Sequence, residues 1–338
     1  MRAPNPGQSI SVPLKAGPSI TVTIINYRTA AMTIDCLRTV VDDMDRAAVA
    51  GQVIVVDNRS DDGSAEAIEA WIAGEARAVP MRLIRSATNS GYSGGHNQGM
   101  AAAPADHYLI LNSDALLRPG FFAAMLKAVA SDPGGRTGLI VPRLEGEDGV
   151  AQVNCFRFAG PGSEFIRGAN TGPVTRLLSG RVVALDVAPP DSQIEWASFA
   201  CILLDARMVA EIGPMDEGYF LYFEDAEYCL RARRAGWRIR RAPDAVAVHL
   251  RGGSGPVKAL AKARKRAPEY YYRSRSRFLA QAHGRAGLWA ANLAWHAGRG
   301  VAQLRRLTGR RPHPAAEHEA GDLWIGARNP TTTHRAEG

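Results

Sequence analysis

Three acidic positions stand where acids do chemistry. Glu224 and Asp225 are adjacent and follow the aromatic run Tyr219-Phe-Leu-Tyr-Phe223, at the start of a helical pattern. A carboxylate walled by aromatic rings loses hydration, its proton affinity rises, and it can act as a base toward a substrate hydroxyl. Asp114 closes Tyr108-Leu-Ile-Leu-Asn-Ser-Asp114, a hydrophobic strand pattern with a polar end. Asn112-Ser113-Asp114 has the form of a DxD element whose first acid is asparagine. Hard cations take oxygen ligands, so one carboxylate together with donor phosphates can hold Mg²⁺ or Mn²⁺. An Asx turn is the alternative for these three residues. His249 ends another strand pattern before Leu-Arg-Gly-Gly-Ser254, which makes it a candidate second metal ligand or a structural histidine. A base on one element and a metal-type aspartate on another suggest group transfer from a phosphorylated donor.

Other residues fall at similar places. Asp57 follows a strand pattern in Asp57-Asn-Arg-Ser-Asp-Asp-Gly-Ser64. A carboxylate there can accept hydrogen bonds from a base or a ribose, while Asp62-Gly63-Ser64 reads as turn and helix cap. Asn89-Ser-Gly-Tyr-Ser-Gly-Gly-His-Asn-Gln-Gly99 is a glycine-rich loop entering a helix. Backbone N–H groups around Asn89, Gly91, Gly94, Gly95 and Asn97 could approach a phosphate at that helix start. The spacing is neither GxGxxG nor a P-loop. Trp196 and Tyr222 are aromatic candidates for sugar or acceptor contact, against core packing as the competing role. Asp43-Met-Asp45 is a literal DxD, but it lies within a helical pattern and reads as a solvated face.

The elements that must position these residues alternate. Apolar, β-branched runs occur at 20–25, 53–56, 81–84 and 108–111, separated by helix-length segments at 30–48, 64–77 and 92–103. Such runs suit strands buried on both faces of a parallel sheet, and the alternation predicts a layered α/β fold with right-handed crossovers. Ligands of such sheets bind at the carboxyl ends of the strands, where the candidate residues lie. Further strand patterns fall at 138–141, 200–204 and 245–249. Residues 145–192 read as long loops or a small hairpin, 259–307 as helical, and the stretch from Thr308 as a frayed polar tail. Residues 1–17 read as a loose lead-in.

At 46% hydrophobic and 22% charged, the chain has an ordinary globular composition. Its four cysteines, Cys36, Cys155, Cys201 and Cys229, form no CxxC pair, which argues against a zinc site or disulfide framework and fits a reducing, cytoplasmic setting. No apolar run reaches the ~18 residues of a membrane span. Net charge is +8, but residues 251–311 hold 15 Lys and Arg against Glu269 alone, a net of +14, so the remainder carries 8 − 14 = −6. A basic segment on an acidic body reads as an anion-binding or docking element, or as a solvated helical face.

Together the motifs resemble the family 2 glycosyltransferases of the GT-A fold, in their rhamnosyltransferase-like and galactofuranosyltransferase-like branch. The resemblance spans roughly residues 18–282. It rests on the order of Thr21-Val-Thr-Ile-Ile-Asn-Tyr27, the Asp57 and Asn89 segments, Leu111-Asn-Ser-Asp114, Gly213-Pro-Met-Asp-Glu217, Tyr222-Phe-Glu-Asp225 and Val248-His249. It implies a GT-A type, Rossmann-like layered catalytic domain over 18–258 with a helical segment after it. It also implies an inverting transfer from a nucleotide-diphosphate sugar to a glycan or lipid-linked hydroxyl. dTDP-L-rhamnose is the first expected donor and a UDP-sugar the second. Tyr27 and Asp57 would contact base and ribose, and Asp114 and His249 the metal and diphosphate. Asp225 would be the base, and Glu224 would support it or contact the acceptor. Asn112 departs from the acid that many members carry there. Trp and Arg among the apolar residues of 278–307 suit either peripheral contact with an anionic membrane on its inner face or an amphipathic helix packed on the catalytic domain or at a dimer interface.

Two other classes fit less well. A nucleotidyltransferase making the sugar nucleotide would need a glycine-rich activation loop after the first strand, where Asn26-Tyr-Arg-Thr stands. A nucleic-acid binder would carry its charge beside a recognition module, and none is visible.

Overall fold

The computed structural model describes residues 17–132, 135–250, 257–309 and 311–332. Runs of Ile, Val and Thr, stiff at χ1 and suited to a pleated surface, build the first half. These are β1 (Ile20–Asn26), β2 (Gly51–Asp57), β3 (Met81–Arg85) and β4 (His107–Asn112). Helices α1 (Ala30–Arg46), α2 (Ser64–Gly74) and α3 (Gly91–Ala102) connect them. Next come β5 (Ala115–Leu117), α4 (Phe121–Ala130), β6 (Thr137–Glu145), β7 (Cys155–Phe156), α5 (Pro161–Ala169) and α6 (Gly172–Leu177). Then follow β8 (Trp196–Ala197), β9 (Cys201–Asp205), α7 (Ala206–Ile212), α8 (Glu224–Arg234) and β10 (Arg238–His249). The last helices are α9 (Val257–Ala263), α10 (Glu269–Gln303) and α11 (Glu319–Asp322).

Eight strands form one sheet in the order β3-β2-β1-β4-β9-β6-β10-β5. The first four are mutually parallel, β9 runs antiparallel between β4 and β6, β6 and β10 are parallel, and β5 returns antiparallel along β10. The expected α/β layering is therefore present, with β1, β2 and β4 ending side by side at Asn26, Asp57 and Asn112. One core packs β1, β2 and β4 against α1 and α4, through Leu37, Val41, Leu109 and Phe122 among others. All four cysteines are free and buried.

Four features differ from the sequence reading. Residues 145–192 contain two helices, and β7 pairs with β8 in a separate small sheet. Their glycines are packing positions as well as turns: a Cβ on Gly168 would strike the Trp295 carbonyl, and one on Gly298 the Phe165 carbonyl. Small residues let α5 and α10 approach backbone to backbone. The 259–307 pattern is broken twice, at Arg264–Pro268 and at Gly284, whose φ of 71 and ψ of 174 kink α10. The tail is ordered through residues 311–332: Leu323 is buried with Tyr272 and Trp295, and Ser276 donates to the Ile325 carbonyl at 2.7 Å. Asp43 is not solvated. It is buried and accepts the N–H groups of Gly120 at 2.6 Å and Phe122 at 2.8 Å, capping the start of α4. Gly252 to Ser254 lie outside the described residues.

Candidate active site

The acid pair opens α8. Tyr222 and Phe223 both take left-handed backbone angles, φ 71 and 69, immediately before it. That conformation is costly for aromatic residues and persists only where surroundings impose it. Here aromatic contacts impose it: Tyr222 lies parallel to Tyr270 at 6.4 Å, and Phe223 packs on Tyr271 at 5.6 Å and Phe278 at 5.8 Å. The turn sets Glu224 and Asp225 at different depths. Glu224 is buried, its Oε2 makes no hydrogen bond, and burial, reinforced by the Asp225 charge, pushes its carboxyl well above the ordinary range. Asp225 is half-buried, in the first turn of α8, where the helix dipole favours a carboxylate.

Asp114 follows β4, and β5 carries the chain back along β10 so that Ala115 pairs with His249. The Leu250 N–H donates to the Asp114 carbonyl at 2.9 Å, locking this corner. Both side chains are buried, and His249 Nε2 lies 3.4 Å from Asp114 Oδ1 without forming a hydrogen bond. A buried imidazole nitrogen facing a carboxylate oxygen is a donor set that suits a divalent cation. Among the described residues no third His, Cys, Asp or Glu joins them. A cation held here would take its other ligands from substrate and water, as Mg²⁺ sites do.

At the ends of β1 and β2, Tyr27 is exposed with the Arg28 guanidinium 5.1 Å from its ring. Asp57 is buried and accepts from Asn26 Nδ2 at 2.6 Å, Ser60 Oγ at 2.5 Å and Ser60 N at 3.0 Å. Ser113 Oγ lies 3.3 Å from Thr29 Oγ1. The glycine loop packs tightly. Gly91 is left-handed, φ 69, and a Cβ there would enter the Phe220 carbonyl, while one on Gly95 would meet Ile25. A Cβ on Gly94 would strike its own loop's Ser90. These glycines thus seat α3 against β1 and against the loop leading to the acid pair. Asn89 Oδ1 accepts from Asn58 Nδ2 at 3.0 Å, and Asn97 bonds the backbone of Met215 and the Glu217 carboxylate. Trp196 stacks on Phe156 at 4.2 Å and donates to the Arg157 carbonyl, so its ring is committed to the small sheet.

Four contributors went unnamed in the sequence reading. Tyr92 joins the halves of the site. Its N–H bonds the Phe220 carbonyl at 2.8 Å, and its hydroxyl lies 2.6 Å from the Phe199 carbonyl and 3.1 Å from Asn112 Oδ1. Burial pushes its phenol well up, and the nearby acids Glu224, Asp225 and Asp114 act in the same direction. Asn58 clamps the glycine loop by accepting from Ser90 N and donating to the Gly91 carbonyl. Tyr270 and Tyr271, from α10, complete the aromatic wall. The motif Gly91-Tyr-Ser-Gly94 signalled Tyr92. Nothing local signalled Tyr270, 45 residues beyond Asp225.

The family model described as Glycosyl transferase family 2 matches residues 21–175, the stretch that carries β1 to β4 and Asp114. Over this stretch, a little under half of its length, the chain carries a family 2 glycosyltransferase domain. Curated proteins to which it is similar include rhamnosyltransferases. A similar curated protein is the N-acetylglucosaminyl-diphospho-decaprenol L-rhamnosyltransferase of Mycobacterium tuberculosis, 28% identical over 267 residues, 72% of this chain and 78% of that one. Among solved structures, the mannosyltransferase PcManGT of Pyrobaculum calidifontis, in complex with GDP-Man and Mn²⁺, superposes with a TM-score of 0.54 at 16% identity, over 94% of this glycosyltransferase and 83% of its own chain. GalNAc-T7 with UDP, GalNAc and Mn²⁺ gives 0.56 at 13% identity, over 80% of this glycosyltransferase and 52% of its own chain. These likenesses agree with the GT-A fold expected from the motifs. No helix among the described residues of the glycosyltransferase is long and apolar enough to cross a membrane.

Proposed function

We propose that this glycosyltransferase moves a sugar, L-rhamnose from dTDP-L-rhamnose before a UDP-linked sugar, onto a hydroxyl of a lipid-linked or cell-surface glycan, with inversion. The observation that carries the reading is the presence of two unlike acid sites that both act on the buried Tyr92 phenol. Asp114 faces His249 at 3.4 Å, and Asp225 stands beside a buried Glu224. The rhamnosyltransferase relative, which acts on a decaprenol-linked sugar, supports the donor and acceptor classes. The Mn²⁺ in the two similar structures supports metal dependence with Mg²⁺ or Mn²⁺.

In this reading Tyr27 and Asp57 frame the nucleotide, Asp57 through the turn that it pins. Asn89, Gly91, Gly94, Gly95, Asn97, Asn112 and Ser113 shape the donor edge, the glycines and Asn97 by packing. Asp114 and His249 would hold the cation, which when bound neutralises charge building on the departing diphosphate. Asp225, half-buried in the first turn of α8, takes the proton from the acceptor hydroxyl. The acceptor oxygen then bonds the anomeric carbon from the face opposite the diphosphate, whose bond to that carbon breaks. Glu224 stays protonated beneath Asp225, which leaves Asp225 as the carboxylate of the pair. Residues 18–258 act as the catalytic domain, and α10 supplies the acceptor-side wall through Tyr270 and Tyr271.

The test is transfer from dTDP-L-rhamnose and from UDP-sugars to a polyprenyl-diphospho-N-acetylglucosamine with Mn²⁺, in wild type and Asp225→Asn. Transfer by the wild type, reduced about 10²–10⁴-fold in the variant with donor affinity retained, supports the assignment. Transfer unchanged in Asp225→Asn contradicts it.

A further inference from the structure

Half of α10 is bolted to the catalytic domain and half is not. Its inner face buries Leu288, Ala291 and Trp295. Its outer face carries Trp289, 47% exposed, and Leu293, 58% exposed, and the 3₁₀ turn Leu304–Thr308 extends that face with Leu304 at 58% and Leu307 at 84%. Between them on that face stand the exposed Ala297 and Gly300, so spacings of three and four residues keep one uncharged stripe along the helix. One residue back along the same turns run Arg299, Gln303 and Arg306, which with Arg311 and Pro312 line a cleft of about 560 Å³. Among the described residues no acid lines it. Arg299 donates to the Gly168 and His313 carbonyls, partners that leave its charge uncompensated.

A continuous apolar stripe of this size on a soluble surface marks an interaction face. A second copy of the chain is a poor occupant, because a two-fold contact would bring the arginines of both copies together. A surface that is apolar just beneath a negatively charged layer matches both features.

We propose that this face, Trp289 to Leu307 with the Arg299–Arg306–Arg311 cleft, docks the protein on an anionic lipid bilayer. The leucines and Trp289 enter the acyl boundary and the cleft receives a lipid phosphate. The proposal goes beyond the transferase reading and does not depend on it, since it requires no donor, metal or turnover.

The experiment is co-sedimentation of the full chain with phosphatidylcholine vesicles and with mixed phosphatidylcholine and phosphatidylglycerol vesicles, at low and high salt. It compares wild type, Leu304→Glu with Leu307→Glu, and Arg306→Gln with Arg311→Gln. All four positions lie on the surface, so melting temperatures should match wild type. Wild type should sediment with the anionic vesicles only, and less at high salt. The arginine variant should bind about fivefold more weakly for each charge removed. The leucine variant should lose binding at either salt. Three results would overturn the proposal. One is equal binding by wild type and variants. Another is no vesicle binding alongside arginine-dependent stabilisation by inorganic phosphate, which would make the cleft a site for a free anion. The third is a leucine-dependent dimer that does not bind vesicles, which would make the stripe a contact between copies.

Discussion

Glu224 and Asp225 differ in depth, and depth separates their tasks. Glu224 is buried with its carboxyl held well above the ordinary range by desolvation first and the Asp225 charge second. A carboxyl that binds its proton more tightly when folded loses stability for the protein as pH rises from its unfolded pKa, ~4.3, toward the folded one. Glu224→Gln removes that titration. Its melting temperature should therefore exceed that of wild type by a margin that grows between about pH 4.5 and 8. Thermal unfolding across that range checks this, and a margin independent of pH would show Glu224 already ionised. At this scale the sequence was informative about where these acids lie, because their neighbours are local: aromatics before Glu224, a strand before Asp114. It was misleading about Asp43 and silent on how the glycines pack. Asp43 is buried by a cap on Gly120 and Phe122, more than 70 residues away. Gly91 is required by Phe220 and Gly95 by Ile25, contacts with no trace in the local pattern.

Among the elements, α10 is the one whose role changed most. It does not simply follow the catalytic domain. Tyr270 and Tyr271 wall the acid pair, while Phe278 and Leu279 share a core with Tyr219 and Ala226. Because Tyr270 packs against Phe220 and Tyr222, which lead into the acid pair, Tyr270→Ala should raise the acceptor KM about tenfold while leaving nucleotide affinity unchanged. Steady-state kinetics with either substrate varied separates the two. A buried ion cluster fixes the helix to α5. Arg275 lies 2.9 Å from Glu164, which also pairs with Arg167, and Arg167 reaches Glu319 in the tail. Burial pushes the Glu164 carboxyl up, but the two guanidinium charges outweigh it and hold it below the ordinary range. Its contribution is thus present above the unfolded pKa and lost as pH falls through the folded one. Glu164→Leu leaves Arg275 charged in the interior and should cost about 3–5 kcal/mol, measured by denaturant unfolding at neutral pH. The strands and the first three helices were legible because their periodicity is local. Helices α5 and α6 were not, since glycines that serve close helix packing look like loop residues in one dimension.

Across the whole molecule, the charge asymmetry read from composition is real but differently used. Of the basic residues after 251, Lys265 pairs with Glu317, Arg266 with Asp322, Arg275 with Glu164 and Arg277 with Asp216. Much of the positive segment therefore ties α10 to the body and to the tail, and what is left over gathers near Arg299, Arg306 and Arg311. The same helix then serves two boundaries, with its first turns against the aromatic run before the acid pair and its last turns at the solvent face. The two sides of the site likewise come from distant parts of the chain. Asp114 is placed by the parallel half of the sheet and His249 by the long strand β10. The most direct measurement is calorimetric titration of dTDP and UDP with Mn²⁺ or with chelator, on wild type, Asp114→Ala and Asp225→Asn. The account predicts nucleotide binding that requires the metal, disappears in Asp114→Ala and persists in Asp225→Asn. Binding that ignores the metal, or survives the loss of Asp114, would contradict it.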